Sequence, residues 1–251
     1  LLYTNNDARF FKFTLVQSYR AFIFVFGGKT VTSRNWVHLF LTTLVVGSVT
    51  TAVVGFIVRW SEFQQLLSTF HMLEFLSILV WLMGVGLIFS ILSQMGFFAY
   101  LTIHRFGLGV FRSYWNFVQI ILIAFVLFDL VYLRYNAFAK TGDSILPYIG
   151  IAAIVLLAGL IVAILKAKQT NKEAFIPAMF FMIVVTVIEW VPVLRVNEHS
   201  WIYLMLFPLL ISNAYQLMVL HKLNQKSMEE RKALEAKTKS IKKAQKKPPN
   251  S

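Results

Sequence analysis

The chain has 251 residues, 58% of them hydrophobic, 16% aromatic and 14% charged, with a mean hydropathy of +0.68. A soluble domain carries about 25% charged and about 45–50% apolar residues, so this composition excludes a conventional soluble enzyme and a disordered chain and points to a polytopic membrane protein. Lys and Arg number 24 against 11 Asp and Glu, a net charge of +13; in a membrane protein that excess marks loops held on the cytoplasmic side rather than nucleic-acid binding.

The first thirty residues differ from the rest. The chain opens on Leu1-Leu2, and Asp7, Arg9 and Lys12 come too early for a cleavable signal peptide. Gly27-Gly28-Lys29-Thr30-Val31 reads as the codons GGA-GGA-AAA-ACN-GTG, a bacterial ribosome-binding site, a short spacer and a GTG start. The expected organisation is a mistranslated leader over 1–30, a transmembrane domain over 31–220 that starts at Val31, and a basic cytoplasmic tail over 221–251. The other reading of 1–30 is an interfacial helix with Phe10, Phe11, Phe13, Phe22, Phe24 and Phe26 at the headgroup level.

A spanning helix needs about 20 mostly apolar residues. Six stretches qualify: 37–58, 73–101, 114–134, 145–165, 174–194 and 201–220. The breaks carry the expected punctuation: Arg59-Trp60-Ser61-Glu62, His104-Arg105-Phe106-Gly107, Lys140-Thr141-Gly142-Asp143-Ser144, Lys166-Ala167-Lys168, and Arg195-Val196-Asn197-Glu198-His199. Pro147 falls in the first turn of the fourth span, where proline is tolerated. Pro208 lies inside the sixth and is expected to kink it. Neither an internal repeat nor β-barrel alternation is visible. The fold class is therefore all-α, an integral membrane bundle of about six helices.

Lys and Arg set the orientation. With Val31 inside, the cytoplasmic side holds Arg34, Arg105, Arg112, Lys166, Lys168, Lys172 and ten basic residues of the tail from Lys222 to Lys247. The outer side holds only Arg59, Arg134, Lys140 and Arg195. Both termini are thus expected in the cytoplasm of a bacterial cell, with the chain in its cytoplasmic membrane. Trp36, Trp60, Trp115, Trp190 and Trp201 lie near span ends, as an aromatic belt requires.

The tail is short of aromatics and rich in Lys, Ala, Glu and Gln, and Met228 to Ala244 has helical composition. Its basic residues outweigh Glu229, Glu230 and Glu235. Each basic residue near an anionic leaflet contributes about 1 kcal/mol. Two roles fit: a solvated segment that sets topology, or a helix that docks on anionic lipids or a partner. No aromatic residue is interleaved with the lysines, so nucleic acid is not an expected partner.

Ionisable residues inside spans are costly and are functional candidates by default. Three occur: Glu74, Asp129 and Glu189. The topology puts them toward the outer ends of their helices, level with Arg59, Arg134 and Arg195. One reading is a set of ion pairs that locks the bundle. The other is an outer-leaflet polar pocket for a ligand, an ion or a partner helix. His38, Gln94, Gln119, Asn213 and Gln216 are expected to hydrogen-bond between helices, and Gly47, Ser48, Ala52, Gly84 and Gly86 to let backbones approach.

No catalytic signature appears. The zinc-protease His-Glu-x-x-His, the nucleophile elbow, the phosphate-binding glycine loop and the dinucleotide fingerprint are missing. With no cysteine, disulfides, thiolate ligands and thiol nucleophiles are excluded. His38, His71, His104, His199 and His221 are scattered and form no ligand set. No enzyme activity, cofactor or metal is expected.

Particular stretches resemble a known family. They are Ser33-Arg34-Asn35-Trp36-Val37, Val54-Gly55-Phe56-Ile57-Val58-Arg59-Trp60, Phe125-Val126-Leu127-Phe128-Asp129-Leu130-Val131-Tyr132 and, above all, the long block from Ser93-Gln94-Met95-Gly96-Phe97-Phe98 through Ala99-Tyr100-Leu101-Thr102-Ile103-His104-Arg105-Phe106-Gly107-Leu108-Gly109. From Ser33 to about the fifth span the chain resembles the KinB-signalling pathway activation protein (KbaA) family of endospore-forming bacteria. The resemblance implies a multi-pass membrane activator of the sporulation phosphorelay that promotes the membrane histidine kinase KinB. It carries no catalytic residues over.

The segment 93–113 is the expected kinase contact, with Gln94, Tyr100, His104, Arg105 and Arg112 at the membrane–cytoplasm boundary; ordinary loop anchoring accounts for the same residues. A small transporter or channel and a membrane-assembly factor acting indirectly on the kinase are the alternatives. Against a transporter, no pair of interrupted half-helices appears.

Overall fold

The computed structural model describes residues 33–61, 63–64, 72–140 and 142–245, with side chains described as far as residue 239. The expected leader over 1–30 and the start at Val31 lie outside the described residues.

Every regular element among the described residues is helical. In chain order they are α1 (Ser33–Val58), α2 (Met72–Phe111), α3 (Trp115–Phe128), α4 (Arg134–Phe138), α5 (Leu146–Gln169), α6 (Phe175–Phe180), α7 (Thr186–Val196) and α8 (His199–Gln245). Short 3₁₀ turns cover Arg112–Tyr114 and Lys172–Ala174, and π-helical turns join α3 to α4 at Asp129–Leu133 and α6 to α7 at Phe181–Val185. Five runs are long and apolar enough to cross a membrane: Ser33–Val58, Met72–Phe138, Leu146–Gln169, Lys172–Val196 and His199–Lys239.

The second and third expected spans thus belong to one apolar run of 67 residues. The chain turns back within it. Arg112 has φ +47°, a left-handed conformation uncommon for a side-chain-bearing residue. Beyond the turn, Trp115 Nε1 donates to His104 Nδ1 at 3.0 Å, and Gln119 Nε2 lies 3.4 Å from the same nitrogen. In one straight helix, residues eleven apart would be separated by about 16 Å along the axis. Gly107 makes the close return feasible, since a Cβ there would stand 2.5 Å from the indole of Trp115.

Many large apolar side chains face outward. Val45 is 62% exposed, Phe117 62% and Ile161 58%. In water such patches would drive association; in a bilayer they face acyl chains, while the helices satisfy their own backbone groups.

By their contacts the residues form two units. In the larger, 39–219, the last two apolar runs have 61% of their most apolar stretch buried, against 22–33% for the other three. The core of this unit therefore lies on α6, α7 and the first half of α8. Phe97, Phe181, Leu82 and Trp190 are fully enclosed. Trp190 donates from Nε1 to the Ile202 carbonyl at 3.2 Å. Trp115 and Trp190 are therefore interior groups and not members of an aromatic belt, because each indole N–H finds an acceptor within the protein. Small residues allow close approach: Ser90 and Ser212 fill the space beside Gly47, and the Ser48 backbone and Thr51 that beside Gly86, whereas among the described residues nothing lies within 4 Å of where a Cβ on Gly84 would be.

The smaller unit joins the start of α1 to the second half of α8. Asn35 Nδ2 donates to Ser227 Oγ at 2.8 Å, both residues buried, and Arg34 pairs with Glu230 at 2.7 Å. Helix α8 runs 47 residues without a break at the end of its apolar part. Its basic half contains neither Gly nor Pro before Pro248, and Lys, Ala, Glu and Gln all favour helix.

Candidate functional site

Two polar centres lie in the larger unit, and they are built differently. The first is a network on three helices. Asn213 of α8 is its hub. Its Nδ2 donates to Thr186 Oγ1 at 2.9 Å and to Glu189 Oε2 at 2.8 Å, both on α7. Its Oδ1 accepts from Ser93 Oγ of α2 at 2.6 Å. Gln216, one turn further along α8, donates from Nε2 to Ser93 Oγ at 2.6 Å and to the Ser212 carbonyl at 3.3 Å. Asn213 thus uses both donors and an acceptor, and Ser93 both gives and receives.

Glu189 lies against Gly96, and a Cβ at that position would collide with its carboxyl Oε1. That oxygen is buried and accepts no hydrogen bond from the described residues. The fully buried π turn Phe181–Val185 immediately precedes Thr186. A π turn inserts one extra residue, so it sets which face of α7 carries Thr186 and Glu189.

The second centre surrounds Arg134, the first residue of α4. Its side chain is 8% exposed. Nη2 donates to Asn197 Oδ1 at 2.6 Å, and Cζ stands 5.2 Å from the centre of the Tyr148 ring, a cation–π arrangement. Nε and Nη1 are buried and have no acceptor among the described residues. Asn197 closes α7 in a left-handed conformation, φ +56°, which asparagine tolerates. Arg134 forms part of the wall of a cavity of about 230 Å³.

Glu189 and Arg134 therefore take neutral partners, Asn213 and Asn197. The other members of the expected outer set are placed separately. Arg59 stands over the Trp81 ring at 5.7 Å. Glu74 is exposed in the first turn of α2 and Arg195 is exposed in the last turn of α7, positions where each charge suits the helix dipole. Asp129 opens the π turn after α3 and is half-buried.

The expected kinase-contact residues divide in two. Gln94, Tyr100 and His104 turn inward: Gln94 Nε2 donates to the Phe40 carbonyl at 3.3 Å, Tyr100 Oη to the Pro177 carbonyl at 3.1 Å, and His104 accepts from Trp115. Arg105 and Arg112 are exposed, and between and beyond them Phe106 is 72% and Tyr114 74% exposed.

The network around Asn213 was not anticipated as a unit, although a signal for it exists. Ser90 and Ser93, Thr186 and Glu189, and Asn213 and Gln216 are polar pairs three residues apart in otherwise apolar helices. That spacing puts each pair on one helix face. Among the described residues no group of three His, Asp or Glu could hold a metal ion.

Comparison with known proteins agrees with the resemblance read from the block at 93–109. Residues 47–223 match the family described as KinB-signalling pathway activation in sporulation. The chain is 46% identical over 192 residues, 76% of its length, to the KinB-signaling pathway activation protein of Bacillus subtilis (strain 168), of which the match covers 97%. No solved structure matches. With most of its helical core inside that match, the chain belongs to the KinB-signalling pathway activation family.

Proposed function

We propose that this protein is a non-enzymatic, multi-pass membrane activator of the KinB pathway that promotes the sporulation phosphorelay by packing against the kinase KinB in the membrane. The observation that carries the reading is the 46% identity across nearly the whole length of the Bacillus subtilis relative. Six passes with both termini in the cytoplasm fit the basic residues, since the turn at Arg112 divides the longest apolar run. The basic half of α8 then lies on the cytoplasmic side, near anionic lipid headgroups.

The contact we favour is the exposed turn carrying Arg105, Phe106, Arg112 and Tyr114, because Gln94, Tyr100 and His104 already have partners inside the protein. To activate, this surface must bind the signalling-competent state of the kinase more tightly than the other; a shift from 1:99 to 99:1 needs about 5.5 kcal/mol of difference.

Photocrosslinking groups at Phe106 and, separately, Tyr114, in membranes of sporulating cells, test this. A kinase adduct at either position is the expected result. Functional variants that give no adduct at these or other exposed span positions would point to indirect action through kinase assembly. The chain has no cysteine, so single cysteines at Lys140 and Ala236 report topology cleanly: an impermeant thiol reagent should label the first from outside and the second only after lysis.

A further inference from the structure

We propose that His104 is a proton-sensitive latch on the exposed turn between α2 and α3, closed while the imidazole is neutral and opened when it takes up a proton. The imidazole lies past the apolar stretch of the second span, and its Nδ1 accepts from Trp115 Nε1 at 3.0 Å across the turn. An indole nitrogen can only donate, so this bond exists only while Nδ1 carries no proton. Trp115 is 4% exposed, stacks on Phe111 with ring centres 5.8 Å apart and fills the space beside Gly107.

A proton on Nδ1 would do two things. It would set two N–H groups against each other and leave the buried indole N–H without its acceptor, which is costly. It would also make Nδ1 a donor, and a partner for that donor stands close by. Gln119 Nε2 lies 3.4 Å from the same nitrogen, while Gln119 Oε1 is buried and accepts no hydrogen bond from the described residues. Rotating the Gln119 amide by half a revolution exchanges the two atoms and offers Oε1 to the new donor. The site thus has two hydrogen-bonded arrangements, Trp115 to neutral His104 and protonated His104 to Gln119, as a switch requires. The turn between them is held under strain, since Arg112 keeps φ at +47°, and such a backbone persists only while its surroundings hold it.

The groups facing the imidazole set the direction. From α2 they are Tyr100, with its ring centre 5.6 Å away and its Oη donated to the Pro177 carbonyl, and Arg105, next in the chain. From α3 they are Trp115 and Gln119, and from α6 the uncharged Phe180 packs on Tyr100 and Trp115. Among the described residues no carboxylate pairs with His104. Partial burial first, and the Arg105 guanidinium second, hold the imidazole below its ordinary value of 6.5. The latch is therefore closed at neutral pH; its stabilisation is complete above that value and is lost as pH falls through the lowered one. What the latch means for the kinase rests on the contact proposed above, whereas the latch itself is read on the turn alone.

The test is electron paramagnetic resonance on the full chain in phosphatidylcholine nanodiscs. The chain has no cysteine, so a spin label on Phe106→Cys reads the turn and one on Val45→Cys, on α1, reads the bundle. From about pH 8 to about pH 5 the label on the turn is expected to gain about twofold in mobility, reversibly and along a single titration, while the label on α1 stays unchanged. His104→Asn keeps an acceptor near the Nδ1 position and does not titrate; it should abolish the change and hold the turn closed. Trp115→Phe should leave the turn mobile throughout. The inference is overturned by wild-type mobility that does not change with pH, by an equal change at both labels, by pH dependence that survives in His104→Asn, or by a turn in Trp115→Phe as rigid as wild type at about pH 8. His104→Asn decides the matter if Trp115→Phe does not fold. A failed kinase crosslink would leave each of these readings as it is.

Discussion

The centres at Asn213 and Arg134 both bury polar side chains among apolar helices, and they differ in how many helices their hydrogen bonds join. Asn213 commits both of its donors and an acceptor within the protein. Arg134 has one bond to Asn197 and two nitrogens left over. The network around Asn213 holds α2, α7 and α8 in register, whereas the Arg134 centre rests on a single hydrogen bond and one ring contact. How many helices a polar group's bonds tie together, more than the number of polar residues, sets how firmly a centre holds the bundle.

The largest expected effect falls at the Asn213 centre. Gly96→Leu would drive a side chain into the Glu189 carboxyl; overpacking of this kind costs about 3 kcal/mol. We expect a sharply lowered melting midpoint in detergent and little protein in membranes. A midpoint equal to wild type would mean that α2 and α7 separate easily, and the contrast would fail at its first term.

Asn213→Leu keeps the branching and heavy-atom count of the side chain and removes the hub. Three bonds to Ser93, Thr186 and Glu189 are lost. At about 0.6 kcal/mol each, the average measured in a membrane protein, the loss is about 2 kcal/mol. Thermal unfolding of the purified protein, alone and combined with Ser93→Ala, measures it; the two changes should be strongly non-additive because they share a bond.

Arg134→Gln should behave in the opposite way. It gives up one bond to Asn197, about 1 kcal/mol, and relieves the protein of a buried unpaired charge, which offsets it. We expect a stability within about 1 kcal/mol of wild type, measured by thermal unfolding in nanodiscs. A loss of more than about 2 kcal/mol would mean that the Asn197 bond and the Tyr148 contact hold their helices as firmly as the Asn213 network does, and the two centres would then be alike.

The smallest effect belongs to the other unit. Arg34 and Glu230 form an ion pair whose side chains are 77% and 26% exposed. After screening by solvent it is worth about 0.5 kcal/mol. A double-mutant cycle should find that coupling at low salt and little of it at high salt.

The outline of the fold is legible without coordinates. Apolar stretches near 20 residues, separated by Arg, Lys, Gly and Pro, locate the helices because a bilayer leaves an exposed backbone no other partner. The helix break near residue 112 was legible as well, from the glycines and basic residues that follow Ile103. The block containing Gly96, Tyr100 and His104 was enough to point to the family.

Which polar residues meet was not legible in the same way. Glu189 was grouped with Glu74, Asp129 and the arginines by its depth along the chain, while the structure sets it against Asn213 and Gly96. Depth is a one-dimensional property that composition and topology carry. Partnership depends also on how each helix is rotated, and lipid-facing and protein-facing surfaces are equally apolar here, so hydropathy is silent about rotation. The i, i+3 polar pairs on α2, α7 and α8 mark faces but do not say which faces meet. That Arg134 is enclosed and half-satisfied, whereas Arg195 is exposed, was decided by a π turn, a left-handed asparagine and the ends of two distant helices converging on one cavity. The sequence alone determined a helical protein with runs long and apolar enough to cross a membrane, and its family; the tertiary structure alone decided which buried polar groups meet, because that depends on distances between residues far apart in the chain.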